Sequence, residues 1–247
     1  MKVENYRMVF QWPILLWLIF SLSACSLLLP GPDKLNEDLA VPMGKWDGVH
    51  HYYNLIPVMN ESGNYERQGY FKGDFRGNDL EFLINLEKKH NQLIMVASAL
   101  AGQPIFAIQQ SGRQLTQEQS YFDLKGLKFS WFLADYQWVN MPLSYIRSPL
   151  LEAQVGVVDR MVEDVCLKPV NSQEEELVET RYLFPFVAEG VDNDLEASSF
   201  MTIQYFTESV ANYCQLLGTE DSAKRKLVSS VSVTHKRWKY TYKVKVL

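Results

Sequence analysis

The sequence predicts an α+β fold, mainly antiparallel β, and three observations predict it. From Tyr65 onward, short apolar segments alternate with turn chemistry. One aromatic stretch, Leu127 to Leu151, breaks that rhythm and is punctuated by Pro142 and Pro149. Near the end, Trp238, Tyr240, Tyr242, Val244 and Val246 alternate with Lys239, Thr241, Lys243 and Lys245. With 47% hydrophobic and 13% aromatic residues among 247, the chain can bury a core. Wholly disordered and collagen-like classes are excluded.

Residues 1–24 read as a removable signal. Lys2 and Arg7 give a positive start, and Val9 to Leu22 is a 14-residue apolar run. A spanning helix needs roughly 20 residues, so a cleaved signal fits better than a permanent anchor. The run ends in Leu22-Ser23-Ala24-Cys25, which resembles a bacterial lipobox. That resemblance implies cleavage after Ala24 and acylation of Cys25, including palmitate-type chains. Each buried CH₂ contributes about 0.8 kcal/mol to membrane binding. Ser26, in place of the aspartate that retains such proteins at the inner membrane, points to the outer membrane, facing the periplasm. Residues 25–43 contain Pro30, Gly31, Pro32 and Pro42 and read as a tether. Fully extended, it would reach at most roughly 60 Å. The remaining 44–247 read as one domain.

Within that domain the first strands run Tyr65 to Phe75, Leu80 to Leu86, Leu93 to Leu100 and Ile105 to Gln109. Each is followed by a polar or Gly-containing turn such as Arg76-Gly77-Asn78-Asp79. Length and the prolines divide Leu127 to Leu151 into two short helices, with Pro142 opening the second. Strands resume at Glu152 to Val158, Met161 to Leu167, Leu177 to Phe184, Phe200 to Phe206 and Val228 to Thr234. In the final strand, period two puts aromatics and valines on one face and mostly lysines on the other. No strand–long-helix alternation supports a doubly wound parallel sheet.

A net charge of −5 excludes a basic nucleic-acid binder. The total is unevenly spread: residues 152–221 carry 15 acidic and 3 basic residues, and residues 224–247 carry none and 8. The basic tail reads as a solvated face with edge lysines that deter aggregation, as a face for anionic lipid or an envelope protein partner, or as the mate of the acidic stretch.

No hydrolase elbow, Ser-x-x-Lys, His-Glu-x-x-His or phosphate loop is present, so no catalytic residue and no cofactor is expected. His50, His51, His90 and His235 lack metal-ligand spacing and read as surface or loop residues. Gly69, Gly73 and Gly77 read as turn or bulge glycines. Cys166 and Cys214 remain after Cys25. A disulfide closing about 49 residues, worth roughly 4 kcal/mol, and two buried thiols are both open.

Ala101-Gly102-Gln103-Pro104-Ile105-Phe106, Phe132-Leu133-Ala134-Asp135-Tyr136-Gln137-Trp138 and Met141-Pro142-Leu143 resemble an uncharacterised family of predicted bacterial outer-membrane lipoproteins. Its members often accompany aryl-polyene gene clusters. Met141 stands where the family pattern has tryptophan. The resemblance implies a fold similar to the lipoprotein carrier and receptor of the Lol pathway, a curved sheet or partial barrel closed by short helices over an apolar cavity. Trp131, Phe132, Tyr136 and Trp138 then line a cavity for an acyl chain or lipid-linked product, or simply pack the core. Asp135 and Gln137 hold a polar ligand group or proton there, or satisfy backbone amides. The expectation is a non-enzymatic lipid-binding lipoprotein of envelope transport. The alternative is an assembly lipoprotein that docks a partner through its basic C-terminal strand.

Overall fold

The computed structural model describes residues 39–46, 48–58, 64–75, 77–120, 128–167, 175–186, 195–216 and 224–247. The expected signal, Cys25 and the expected tether up to residue 38 lie outside them.

Among the described residues twelve strands and four α-helices are formed. A hairpin of β1 (Ala40–Trp46) and β2 (Val49–Asn54) precedes a meander of β3 (Tyr65–Phe75), β4 (Asn78–Lys89), β5 (Gln92–Ser98), β6 (Pro104–Ser111) and β7 (Gln114–Ser120). Two helices follow, α1 (Phe129–Asn140) and α2 (Leu143–Glu152). The second half contains β8 (Val155–Met161), β9 (Glu176–Pro185), α3 (Leu195–Ser198), β10 (Met201–Thr207), α4 (Val210–Gln215), β11 (Ser230–His235) and β12 (Tyr240–Val246).

Ten strands make one antiparallel sheet in the order β7-β6-β5-β4-β3-β12-β11-β10-β9-β8. Two five-strand meanders are therefore joined where the first strand of one meets the last strand of the other. Phe71 lies opposite Val244 and Gly73 opposite Tyr242 at this seam. The sheet is not closed, and β7 and β8 are its outer strands. The paired residues Ile108, Met95, Leu86 and Arg67 continue one face of the sheet, and Tyr205 and Val231 lie on the same face beyond the seam. Apolar side chains on that face and on α1 form most of the core.

Local chemistry explains the seam. A Cβ on Gly73 would sit 2.4 Å from the Thr241 carbonyl oxygen and 2.5 Å from the Tyr242 Cβ. Only glycine admits so close a strand. Gly77 turns β3 into β4 with φ +83°, and its N–H donates to Asp74 Oδ1 at 3.0 Å. Of the three glycines read as turn or bulge residues, Gly77 fits that reading. Gly69 and Gly73 are instead interior strand positions.

Several expectations shift. The tether boundary at Met43 falls inside β1, where Val41 and Met43 are buried. Met161 to Leu167 is not a strand: β8 ends at Met161, Asp164 has a left-handed φ of 59°, and Val165–Leu167 form a 3-10 turn. Glu152 ends α2 instead of opening a strand. Strand β12 is central, paired on both sides, so its lysines guard no edge. The basic tail partly neutralises the acidic stretch instead: Lys243 Nζ on β12 lies 2.7 Å from Glu175, and Arg225, ahead of β11, lies 2.6 Å from Glu179. His235 is a core residue, not a surface one, because it shares the buried face of β11 with Val231 and Val233. The expected helix pair is present, with Pro142 at the N-cap of α2.

Candidate functional site

Helix α1 is buried almost all round, which an isolated amphipathic helix would not be. Its sequence supplies apolar residues on every side, and two layers cover it. Phe132, Asp135, Tyr136, Val139 and Asn140, spaced at i, i+3, i+4, i+7 and i+8, face the sheet. From the other side, Gln137 reaches the chain after β2. Its Oε1 accepts from the Tyr53 hydroxyl at 2.9 Å and the Ile56 N–H at 3.0 Å, and its Nε2 donates to the Ile56 carbonyl at 2.9 Å. Gln137 thus satisfies backbone groups and a buried tyrosine hydroxyl, and both lone pairs of its side-chain oxygen are used.

The C-terminal end of α1 has no basic residue of its own. Arg181 from β9 supplies one: Nη1 donates to the carbonyls of Trp138 at 2.6 Å and Met141 at 3.0 Å. Its Nε and Nη2 fork onto the Asp159 carboxylate at 2.6 and 2.7 Å. The Tyr205 hydroxyl adds a bond to the Val139 carbonyl at 3.0 Å. The orphan carbonyls of a helix end are thereby satisfied from the sheet. Arg225 stacks 3.5 Å over the Tyr205 ring.

Between α1 and β3, β4 and β12 lies an apolar cavity of about 100 Å³. Gly69 leaves the space, and Phe71, Ile84, Leu86, Phe132, Tyr242 and Val244 line it. A smaller space of about 30 Å³, lined by Trp131, Leu80 and Tyr240, lies against the same group of Phe71, Phe132, Asp135 and Tyr242. Asp135 therefore borders both. Its Oδ1 and Oδ2 accept from the Tyr240 hydroxyl at 2.9 and 2.7 Å, and Oδ2 accepts from Tyr242 at 3.3 Å. Among the described residues no cation pairs with it. Burial pushes its carboxyl up to about 7, against the pull of the two hydroxyl donors. Burial and the adjacent carboxylate raise both tyrosines well above their ordinary value.

The four aromatic candidates separate. Phe132 and Tyr136 line the larger space, and Trp131 borders the smaller. Trp131 also stacks on Trp238 at 4.7 Å. Trp138 is fully buried against Tyr53 and is core. Cys166 and Cys214 are joined in a disulfide. Among the described residues no group of three His, Cys, Asp or Glu side chains is placed to hold a metal. No helix there is long and apolar enough to cross a membrane.

Sequence reasoning named Asp135 but missed its partners. Tyr240 and Tyr242 were legible as one face of a strand, and nothing local says which helix that face meets. Arg181 was one of three bases in an acidic stretch, and that isolation is the signal that marks it as a buried partner. His235 stacks on Trp238 at 4.0 Å, and its Nδ1 accepts the Trp238 N–H.

The chain belongs to the family described as "Protein of unknown function (DUF3261)", whose pattern it matches over residues 68–216. That span contains all three segments that carry the resemblance noted in the sequence. No curated protein matches the chain. Among solved structures it is similar to a DUF1329 family protein from Desulfovibrio piger ATCC 29098, with 7% identity and a TM-score of 0.26 over 74% of this chain and 82% of that one.

Proposed function

We propose that this DUF3261 protein is an outer-membrane lipoprotein, held by acylated Cys25 and facing the periplasm, that shelters a hydrophobic group during envelope transport or assembly. The group is an acyl chain or the apolar part of a lipid-linked product. It binds by reversible burial of apolar surface, with no covalent chemistry and no cofactor. The observation that carries this reading is the apolar cavity beneath α1. At about 100 Å³ it is smaller than the roughly 300–1,000 Å³ of common ligand pockets. It therefore takes the end of a chain, and deeper insertion requires α1 to lift from the seam. The docking alternative loses its simplest form, because β12 has no free backbone edge for a partner strand.

The test uses the full chain carrying Cys25→Ala, so that no detergent competes. A neutral polyene fluorophore such as diphenylhexatriene brightens on binding, and Val244→Phe, which fills the cavity while keeping a strand former, weakens uptake about tenfold or more. No uptake by the parent protein at high micromolar probe rejects the carrier reading. Fractionation of cells carrying Cys25→Ala checks the anchor: the variant leaves the outer membrane for the soluble periplasm or stays uncleaved at the inner membrane.

A further inference from the structure

We infer that Asp135 is the head-group anchor of the cavity, and that the ligand is an apolar chain ending in a hydrogen-bond donor, an ammonium above all. This deepens the carrier reading and rests on it. The carboxylate lies between the two spaces beneath α1, and their other shared walls are Phe71, Phe132 and Tyr242. Both oxygens already accept phenol hydroxyls, an arrangement built for the charged form. A charge without a counter-ion in an apolar site is costly, and a ligand that brings the cation removes that cost. An anionic head meets the opposite situation at Asp135 and is refused.

The cavity also has a rim. Arg67 on β3 lines it and donates to Asn140 Oδ1 at 3.4 Å, five residues beyond Asp135 on α1. At 1.5 Å per residue that is roughly 7.5 Å along the helix. The half-exposed guanidinium is screened by solvent, so it attracts anions only weakly. The inner end, at Asp135, sets the preference.

Three six-carbon probes of equal length separate the contributions: hexylamine, 1-hexanol and hexanoate. They are titrated into the Cys25→Ala protein near pH 8 by calorimetry. Hexylamine binds about tenfold more tightly than 1-hexanol, and hexanoate more weakly than either. Asp135→Asn abolishes the amine advantage and leaves 1-hexanol within about twofold. The wild-type carboxyl gives a second measurement that needs no variant at position 135. With hexylamine bound, its carbon resonance titrates at lower pH than in the free protein. Three heads that bind alike and ignore Asp135→Asn overturn the anchor and leave the cavity reading standing. Hexanoate binding best, and lost in Arg67→Gln, overturns it as well and moves the head group to the rim. If none of the three binds, the anchor and the cavity reading fall together.

Discussion

Two buried ionisable residues share Tyr240 and pull stability in opposite directions with pH. Asp135 bonds the Tyr240 hydroxyl, and the His235 ring lies 5.0 Å from the Tyr240 ring. Burial raises the Asp135 carboxyl to about 7 from 3.8, so the folded protein keeps a proton that the unfolded chain releases. Its contribution to stability therefore falls as pH rises from about 4 to about 7 and is flat above. Burial, with Arg237 nearby, lowers His235 to about 3 from 6.5. There the unfolded chain binds the extra proton, and stability is lost as pH falls from about 6.5 to about 3. Arg67 and Asp74 on β3, Tyr136 on α1, and Tyr240 and Tyr242 on β12 are the other ionisable groups lining the Asp135 cavities. In wild type the two slopes largely offset each other between about pH 4 and 6.5. Urea unfolding across that window shows them when one is removed: Asp135→Asn leaves stability rising with pH, and His235→Phe leaves it falling. Parallel slopes in both variants would contradict the assignment. Asp135 was visible in the sequence as a polar residue in an aromatic helix. Its pairing was not, because 105 residues separate it from Tyr240.

At the scale of elements, α1 is held by contacts that its own sequence does not announce. The period-two pattern of β12 was readable because one face is buried and the other carries lysines, a local asymmetry. The hairpin β1–β2 was not readable. Pro42 looks like tether chemistry, His50 and His51 look like surface or loop residues, and the register shift between Pro42 and Gly44 hides the alternation. Helix α1 was divided correctly from α2 by Pro142, yet its C-terminal partner lies in β9. Arg181 is fully buried, and its removal leaves the Asp159 carboxylate with Arg225 at 3.6 Å and takes the donor from two carbonyls at the end of α1. Arg181→Met is expected to cost about 3–5 kcal/mol, the range for breaking a buried ion pair. Arg181→Lys keeps the charge but not the fork, and falls between. Equilibrium urea unfolding measures both. A loss below about 1 kcal/mol in Arg181→Met would remove Arg181 from the role of capping α1.

The whole molecule depends on a seam between its two ends. Strands β3 and β12 lie about 170 residues apart in the chain and pair throughout the middle of the sheet, so neither meander is complete alone. Pairing of such distant segments carries a loop-closure cost that a local pattern cannot encode. The meander character was therefore legible and its closure order was not. Within the second meander a covalent tie shortens one such loop. Cys166 follows β8 in the 3-10 turn, and Cys214 lies in α4 after β10, with 48 residues of separation. The bridge therefore spans β9 and β10, the strands that present Arg181 and Tyr205 to α1. In the chain-entropy treatment it stabilises the fold by about 4 kcal/mol. For a domain of this size each kcal/mol shifts the midpoint by about 2–4 °C. The double variant Cys166→Ser/Cys214→Ser should melt about 8–16 °C below the parent. A reductant should lower the parent by the same amount and leave the variant unchanged. The unfolding should also stay a single transition in both, because the seam couples the two meanders. Two separated transitions after reduction would mean that the meanders fold independently and that β3–β12 pairing contributes little.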